Sequence, residues 1–323
     1  MNAPGPTIPA RVDGTARPLM AMLGEFEQAA ALAAGAKQVR TTSGIVRKFL
    51  WIERVVRARG ITTATVEHYL ACLVVRGRSP KTLYNHRSAL SAFCGFLVRR
   101  GLLSANPCRD VRLAPLEEQL PRYLNDDEIE QVLRIANAAG IWPEVCLALS
   151  TGLRLSEMIR LTWADVDVER RSLTVRRSKS HRPRTVPLAR SALAALAAQR
   201  EVAGEFSHVF PARQTWPGGW RYVDRPRASN WWRRALPPIQ DAVPKFHDGL
   251  PATATGRGWH LFRHTFASRA VQGGPGRPAV SIFKLSAWLG HSDVRTTRIY
   301  AHLQAGYDEE IETVSIVREK GDV

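Results

Sequence analysis

The chain has 323 residues, with 45% hydrophobic and 23% charged side chains and a formal net charge of +17. This is the composition of a globular protein long enough for two domains. No apolar run reaches the ~18 residues of a membrane span, and no signal-peptide core is visible, so secreted and membrane classes are excluded. Cys72, Cys94, Cys108 and Cys146 form no C-x-x-C pair and show no zinc-like histidine spacing. That argues against a disulfide framework or metal site and fits a reducing cytoplasm. Lys and Arg number 46 against 29 Asp and Glu. Residues 1–113 hold 17 basic and 6 acidic groups, a net +11. An excess of this size points to a polyanionic partner, nucleic acid first.

Residues 1–17, with Pro4, Gly5, Pro6, Pro9 and Gly14, show no periodicity and are expected to form a disordered tail. Helical spacing then runs from 18 to about 101. Leu19, Met22, Leu23 and Phe26 mark a first apolar face, and Val46, Phe49, Leu50, Ile52 and Val56 a second. Thr62 or Thr63 suits the cap of a third helix carrying Val66, Tyr69, Leu70 and Leu73. Ser79-Pro80 opens a fourth, which stops at Gly101. Its buried stripe is expected to be Leu83, Ser88-Ala89-Leu90, Phe93 and Leu97. We therefore expect a helical N-terminal domain over 18–112. Proline and acidic residues break the pattern across 104–124, and we place a linker at 113–122. Residues 123–323 form the second domain.

That second domain opens at Asn125, an N-cap followed by Asp126, Asp127 and Glu128. Residues 172–175 and 184–188 alternate like two short strands around a basic turn. Segments 191–200, 260–272, 282–290 and 293–303 have helical spacing. The stretch 212–258, rich in Trp, Pro, Gly and Arg, assigns no element. The expected fold class is mainly α with a small antiparallel β-sheet in the second domain.

Four segments of this domain carry the chemistry. Thr151-Gly152-Leu153-Arg154 places an arginine just after a helix-ending glycine. Ser178-Lys179-Ser180-His181-Arg182 puts a lysine in the basic turn. His260-Leu261-Phe262-Arg263-His264 brings His260 and Arg263 to one helical face, with Phe262 and Phe266 inward. His264, one step off that pair, reads as a structural histidine. Leu289-Gly290-His291 sets a histidine in a turn, and Tyr300 follows nine residues on. Each alone reads as an ordinary cap, a solubilising lysine or packing. Together, two arginines, a lysine, two histidines and a tyrosine are what phosphoryl transfer to a protein nucleophile requires without a metal or other cofactor. Guanidiniums neutralise the non-bridging oxygens, a phenol attacks, and lysine protonates the leaving oxygen.

The segments TGLRLSEMIRLTW, SKSHRPRTVPL, HLFRHTFAS and LGHSDVRTTRIYAH resemble, in order and spacing, the tyrosine recombinase or phage integrase family. The resemblance spans essentially residues 120–303, and SPKTLYNHRSALSAFCGFLVRRGLLSANP resembles that family's N-terminal core-binding domain. It implies a two-domain DNA clamp in which a helical core-binding domain and a catalytic domain hold duplex DNA. It implies further that Arg154 and Arg263 hold the scissile phosphate, that Tyr300 attacks it to give a 3′-phosphotyrosyl bond, and that His260 moves the phenol's proton. His291 would hydrogen-bond the phosphate, and Lys179 would act as the general acid. The expected partner is a double-stranded recombination site, engaged by a homotetramer on two paired sites, with the free protein a monomer or dimer and no membrane contact. Lys81, Thr82, Asn85 and Arg87 on the fourth helix are the candidate DNA contacts. Gly273-Gly274-Pro275-Gly276-Arg277-Pro278 lengthens the link between the last two motifs. Type IB topoisomerase-like relaxation and a catalytically inert DNA-binding regulator are the alternatives.

Overall fold

The computed structural model describes residues 18–116, 120–176, 183–217, 219–228, 231–232, 235–246, 258–274 and 277–303. The expected tail at 1–17 and the basic turn carrying Lys179 lie outside the described residues. The chain divides into two compact units between Glu118 and Gln119.

The first unit is built on four helices: α1 (Leu19–Ala31), α2 (Ala36–Ile52), α3 (Thr63–Val75) and α4 (Pro80–Arg99). Side chains within four residues set the starts of α3 and α4. Thr62 caps α3 by accepting from the Thr65 amide, and Ser79 caps α4 with Pro80 in its first turn. The inward faces bring Phe26 edge-on to Phe93 and Phe49 edge-on to Tyr69, at 5.4 and 5.3 Å. Val56, expected on the apolar face of the second helix, lies beyond its end and is exposed. Ser88 is likewise exposed on α4.

Residues 104–112 are not loose, although proline breaks their helical pattern. Asn106 donates to the Ser91 carbonyl at 3.0 Å, and Cys108 and Val111 are buried in the first unit's core. Arg87 donates to the Val111 carbonyl at 2.9 Å and stacks over the Tyr84 ring. Its guanidinium thus fastens the segment that follows α4. Lys81 and Asn85 are exposed, whereas Thr82 is half-buried with its hydroxyl 3.0 Å from that of Ser79.

The second unit starts with α5 (Asp126–Ala138), closed by the expected reciprocal cap between Asn125 and Glu128. Then come α6 (Trp142–Thr151), the single turn α7 (Leu155–Met158) and a three-stranded antiparallel sheet of β1 (Val166–Asp167), β2 (Ser172–Val175) and β3 (Arg184–Pro187). β2 and β3 pair Leu173 with Val186 and Val175 with Arg184. α8 (Arg190–Ala203) packs on α6. The stretch without a sequence assignment contains an antiparallel hairpin, β4 (Pro211–Trp216) and β5 (Gly219–Pro226), and then the short helix α9 (Pro237–Ala242). Its signal was hidden because the hairpin's strands are not alternately apolar. α10 (Gly258–Gln272) and α11 (Ile282–Leu289) follow. Residues 293–303 wind as the tighter 3₁₀ form, Val294–Thr296 and Arg298–Leu303.

Two cores support these elements. The larger contains Phe210, Trp232, Phe246, Trp259 and Phe262. The smaller joins Ala267 and Val271 of α10 to Leu285 and Leu289 of α11, with the Tyr300 ring between them. All four cysteines are free thiols. Among the described residues no helix is long and apolar enough to cross a membrane, and no group of His, Cys, Asp or Glu has metal-binding geometry.

Candidate active site

Two left-handed glycines frame the site. Gly152 ends α6 at φ +61°, and a Cβ there would lie 2.4 Å from Phe266 Cδ1. Gly290 ends α11 at φ +65° and presses on the Arg184 side chain. Only glycine takes this conformation without steric penalty, and here the approach of neighbours forbids a side chain as well. Arg154 and His291 therefore emerge from tight helix exits, each one or two residues past its glycine.

Arg263, on α10, is the centre of the arrangement. Its side chain is almost fully buried, yet it donates to the Gly152 carbonyl and the Leu289 carbonyl, each at 2.7 Å. The same guanidinium lies 3.0 Å from His291 Nε2. Burial, together with the neighbouring Arg154 charge, brings its pKa down to about 9, so it stays cationic at neutral pH. Because Arg263 can only donate, His291 Nε2 accepts. The His291 proton then sits on Nδ1, which donates to Thr297 Oγ1 at 2.7 Å. Burial and the charges of Arg263, Arg154 and Arg184 push His291 down to about 4, which keeps the ring neutral.

Arg154 precedes α7 and is partly exposed. It donates to Glu157 Oε1 at 3.0 Å and reaches the Gly290 carbonyl at 3.4 Å. Glu157 also accepts the Arg154 backbone amide and both terminal nitrogens of Arg184. Its burial favours the neutral acid, but hydrogen bonding and charge from Arg184, with the Arg154 contacts, hold the carboxyl below its usual range. Glu157 and Arg184 escaped the sequence reading. The available signal was an acid three residues after Arg154, where a helix-start carboxylate turns back on the chain.

Tyr300 is buried, and its hydroxyl meets His264 Nδ1 at 2.6 Å. His264, read from sequence as structural, is thus the phenol's partner here. His260 packs edge-on against the His264 ring at 4.8 Å. A spacing of four residues puts both histidines on one face of α10, and that signal was present in the sequence. Burial raises the Tyr300 phenol to about 12 against the opposing pull of Arg263. Burial, His260 and Arg263 lower His264 to about 4. His260 keeps a solvent-facing edge, yet desolvation and the charges of Arg263 and Arg154 lower its pKa as well.

The structure therefore puts Arg263 in direct contact with His291, brings Arg154 to the same Gly290 turn through its carbonyl, and places His260 and Tyr300 on either side of His264. Such a cluster offers forked donors and two neutral imidazoles beside a phenol, which is equipment for handling a phosphodiester.

The family model of the phage integrase family matches residues 122–306. The chain is 31% identical over 247 residues to tyrosine recombinase XerC of Xanthomonas axonopodis pv. citri (strain 306), covering 75% of this chain and 73% of that protein. It is 31% identical over 250 residues to tyrosine recombinase XerC of Xylella fastidiosa (strain 9a5c), covering 76% and 77%. Among solved structures, its fold is similar to that of the Tn1549 transposon integrase in complex with transposon right end DNA. That match has a TM-score of 0.67 at 17% identity and covers 90% of this chain and 97% of the other. A lambda integrase dimer bound to a core site matches with a TM-score of 0.65 at 18% identity, covering 86% and 97%. By its family match and these relatives, the chain belongs to the phage integrase family, the tyrosine-type site-specific recombinases.

Proposed function

We propose that this protein cuts and rejoins duplex DNA at defined sites through a covalent 3′-phosphotyrosyl link to Tyr300. The observation that carries the reading is the buried guanidinium of Arg263, held by two helix-end carbonyls and touching His291, beside the phenol of Tyr300. A cation buried at this cost implies an anionic ligand, and a phosphodiester fits its forked donors. In this reading Arg154 and Arg263 neutralise the non-bridging oxygens, and His291 hydrogen-bonds the phosphate in its other neutral tautomer, with the proton on Nε2 and the Thr297 hydroxyl donating to Nδ1. Tyr300 attacks as its proton passes to the His264–His260 pair. Lys179, between β2 and β3 in the sequence, protonates the leaving 5′-oxygen. The phosphotyrosyl bond conserves the energy of the bond it replaces, so rejoining draws on no nucleotide triphosphate. Cationic side chains supply the charge neutralisation that metal ions supply in other phosphoryl transfers.

The relatives' names and the DNA-bound neighbours support a recombination site as the substrate and a cytoplasmic, DNA-associated role. Lys81, Thr82, Asn85 and Arg87 on α4 are the proposed contacts of the first unit, and a homotetramer on two paired sites is the proposed assembly. The test uses nicked duplexes tiled across the DNA flanking the gene. Wild type should give a denaturant-resistant protein–DNA adduct on one of them, and Tyr300→Phe should give none. An adduct from the phenylalanine variant would move the nucleophile elsewhere, with Tyr307 the next candidate. Recombination between two copies of the trapped site, as against relaxation of site-free supercoiled DNA, separates a recombinase from a topoisomerase-like enzyme.

A further inference from the structure

Arg184 opens β3, five residues after Lys179 in the sequence. All three of its guanidinium nitrogens are engaged. Nε donates to the Trp288 carbonyl at 2.7 Å, and the two terminal nitrogens take the two oxygens of Glu157 at 2.9 and 2.7 Å. Both side chains are nearly sealed from solvent, at 8% and 3% exposure. The guanidinium is committed to the protein and is not presented to a ligand. Its carboxylate partner is shared, because Glu157 also binds the Arg154 side chain and backbone amide. The turn at Gly290 lies flush against the same group: a Cβ there would come within 2.7 Å of Arg184 Cδ. One side chain thus ties together α7, which follows Arg154, the start of β3, and the α11 exit that delivers His291.

We propose that Arg184 is a positioning residue for phosphate recognition, holding Arg154 through Glu157 and His291 through the Trp288–Gly290 turn. A bidentate pair uses the carboxylate's geometry fully. With Arg184 occupying both oxygens of Glu157, Arg154 contributes a single nitrogen to that carboxylate and keeps donors for a phosphate oxygen. Without Arg184, the carboxylate draws in the whole Arg154 guanidinium and takes it away from the ligand. The Gly290 turn simultaneously loses the group it packs on.

This inference rests on the function proposed above, and the test separates the two. Single-turnover cleavage and DNA affinity are measured for wild type, Arg184→Lys and Arg184→Met on a nicked substrate. A second substrate carries a methyl group in place of one non-bridging oxygen at the scissile phosphate. A misplacement of ~1 Å costs about 10²-fold in rate, so Arg184→Met should cleave ordinary DNA about 10²-fold more slowly, and Arg184→Lys, lacking the fork, should fall between it and wild type. Affinity should stay within about threefold of wild type, placing the loss in the chemical step. The defect should shrink at least about tenfold on the methyl substrate, which carries less charge for Arg154 to neutralise. Wild-type rates in both variants, or a defect of equal size on both substrates, would overturn the proposal; the second outcome would mark Arg184 as merely structural. If Arg184→Met fails to fold, Arg184→Lys carries the same comparison. Failure of wild type itself to form an adduct would instead refute the underlying function.

Discussion

The hydroxyl of Tyr300 lies 2.6 Å from Nδ1 of His264, in a pocket formed where α10 and α11 meet. Burial raises the phenol to about 12 and, with His260 and Arg263, lowers the imidazole to about 4, so at neutral pH a neutral phenol donates to a neutral ring. The proposed nucleophile is thus stored protonated. Tyr300→Phe leaves the packed ring in place and removes one hydrogen bond, worth about 1 kcal/mol. Its thermal midpoint should shift by only a few degrees while adduct formation is lost entirely. A collapse of the melting transition would show that the hydroxyl is a main support of the fold.

Acid should weaken the second unit before it reaches the carboxylates. His264 and His291 both have folded-state pKa values near 4, and that of His260 is also depressed. An unfolded chain binds protons at these rings near pH 6.5, whereas the folded one does not until about pH 4. The unfolded state therefore holds more protons in this window, and stability falls as the pH drops through it. Each pKa unit of difference is worth up to about 1.4 kcal/mol, less where solvent screens the ring. Denaturant midpoints at pH 7.5 and pH 5 should show the loss, and His264→Gln should reduce it. Identical midpoints for wild type at the two values would contradict the depressed values.

Gly152→Ala should damage both fold and site. The residue sits at φ +61°, where an alanine costs ~1–2 kcal/mol, and its Cβ would collide with Phe266. Relief requires a shift of α10, adding about 1–3 kcal/mol of overpacking. Because the Gly152 carbonyl also holds Arg263, cleavage should fall further than the lost stability explains. Full activity measured well below the melting temperature would show that this carbonyl does not set the arginine's position.

Glu144 of α6 and Arg227, just past β5, form an almost fully buried ion pair at 2.6 Å. Arg227 also donates to the Pro211 carbonyl and lies 4.0 Å over the Trp231 ring, while Glu144 Oε2 has no hydrogen-bond partner among the described residues. Burial raises the Glu144 pKa despite the arginine. Removing one partner leaves a buried charge alone, so Arg227→Met should cost about 3–5 kcal/mol in denaturant unfolding. Replacing both, Glu144→Leu with Arg227→Met, should recover most of that. A double variant as unstable as the single one would assign the loss to the Trp231 stacking.

On α4, exposed Lys81 and Asn85 make different predictions for DNA binding. A lysine on a phosphate contributes to the salt dependence, so Lys81→Ala should flatten the log–log salt slope by about 0.9. Asn85→Ala should weaken binding to the specific site with the slope unchanged. Unaltered affinity in both variants would remove this helix from the interface.

Helix starts, terminal glycines and the order of the four motifs were legible in the sequence because their signals act within about four residues. Thr62, Ser79 and Asn125 satisfy amides of the next turn, and Gly152 and Gly290 adopt the one conformation their positions require. The partners within the site were not legible in this way. His264 meets Tyr300 across 36 residues, Arg184 meets Glu157 across 27, and Arg184 reaches the Trp288 carbonyl across 104. Arg87, a candidate DNA contact in the sequence, gains the Val111 carbonyl only once the chain folds back. A single side chain shows which chemistry it can perform, but the atom it meets depends on how distant helices pack. Desolvation, which makes His264 and His291 neutral and Tyr300 hard to ionise, comes only from that packing.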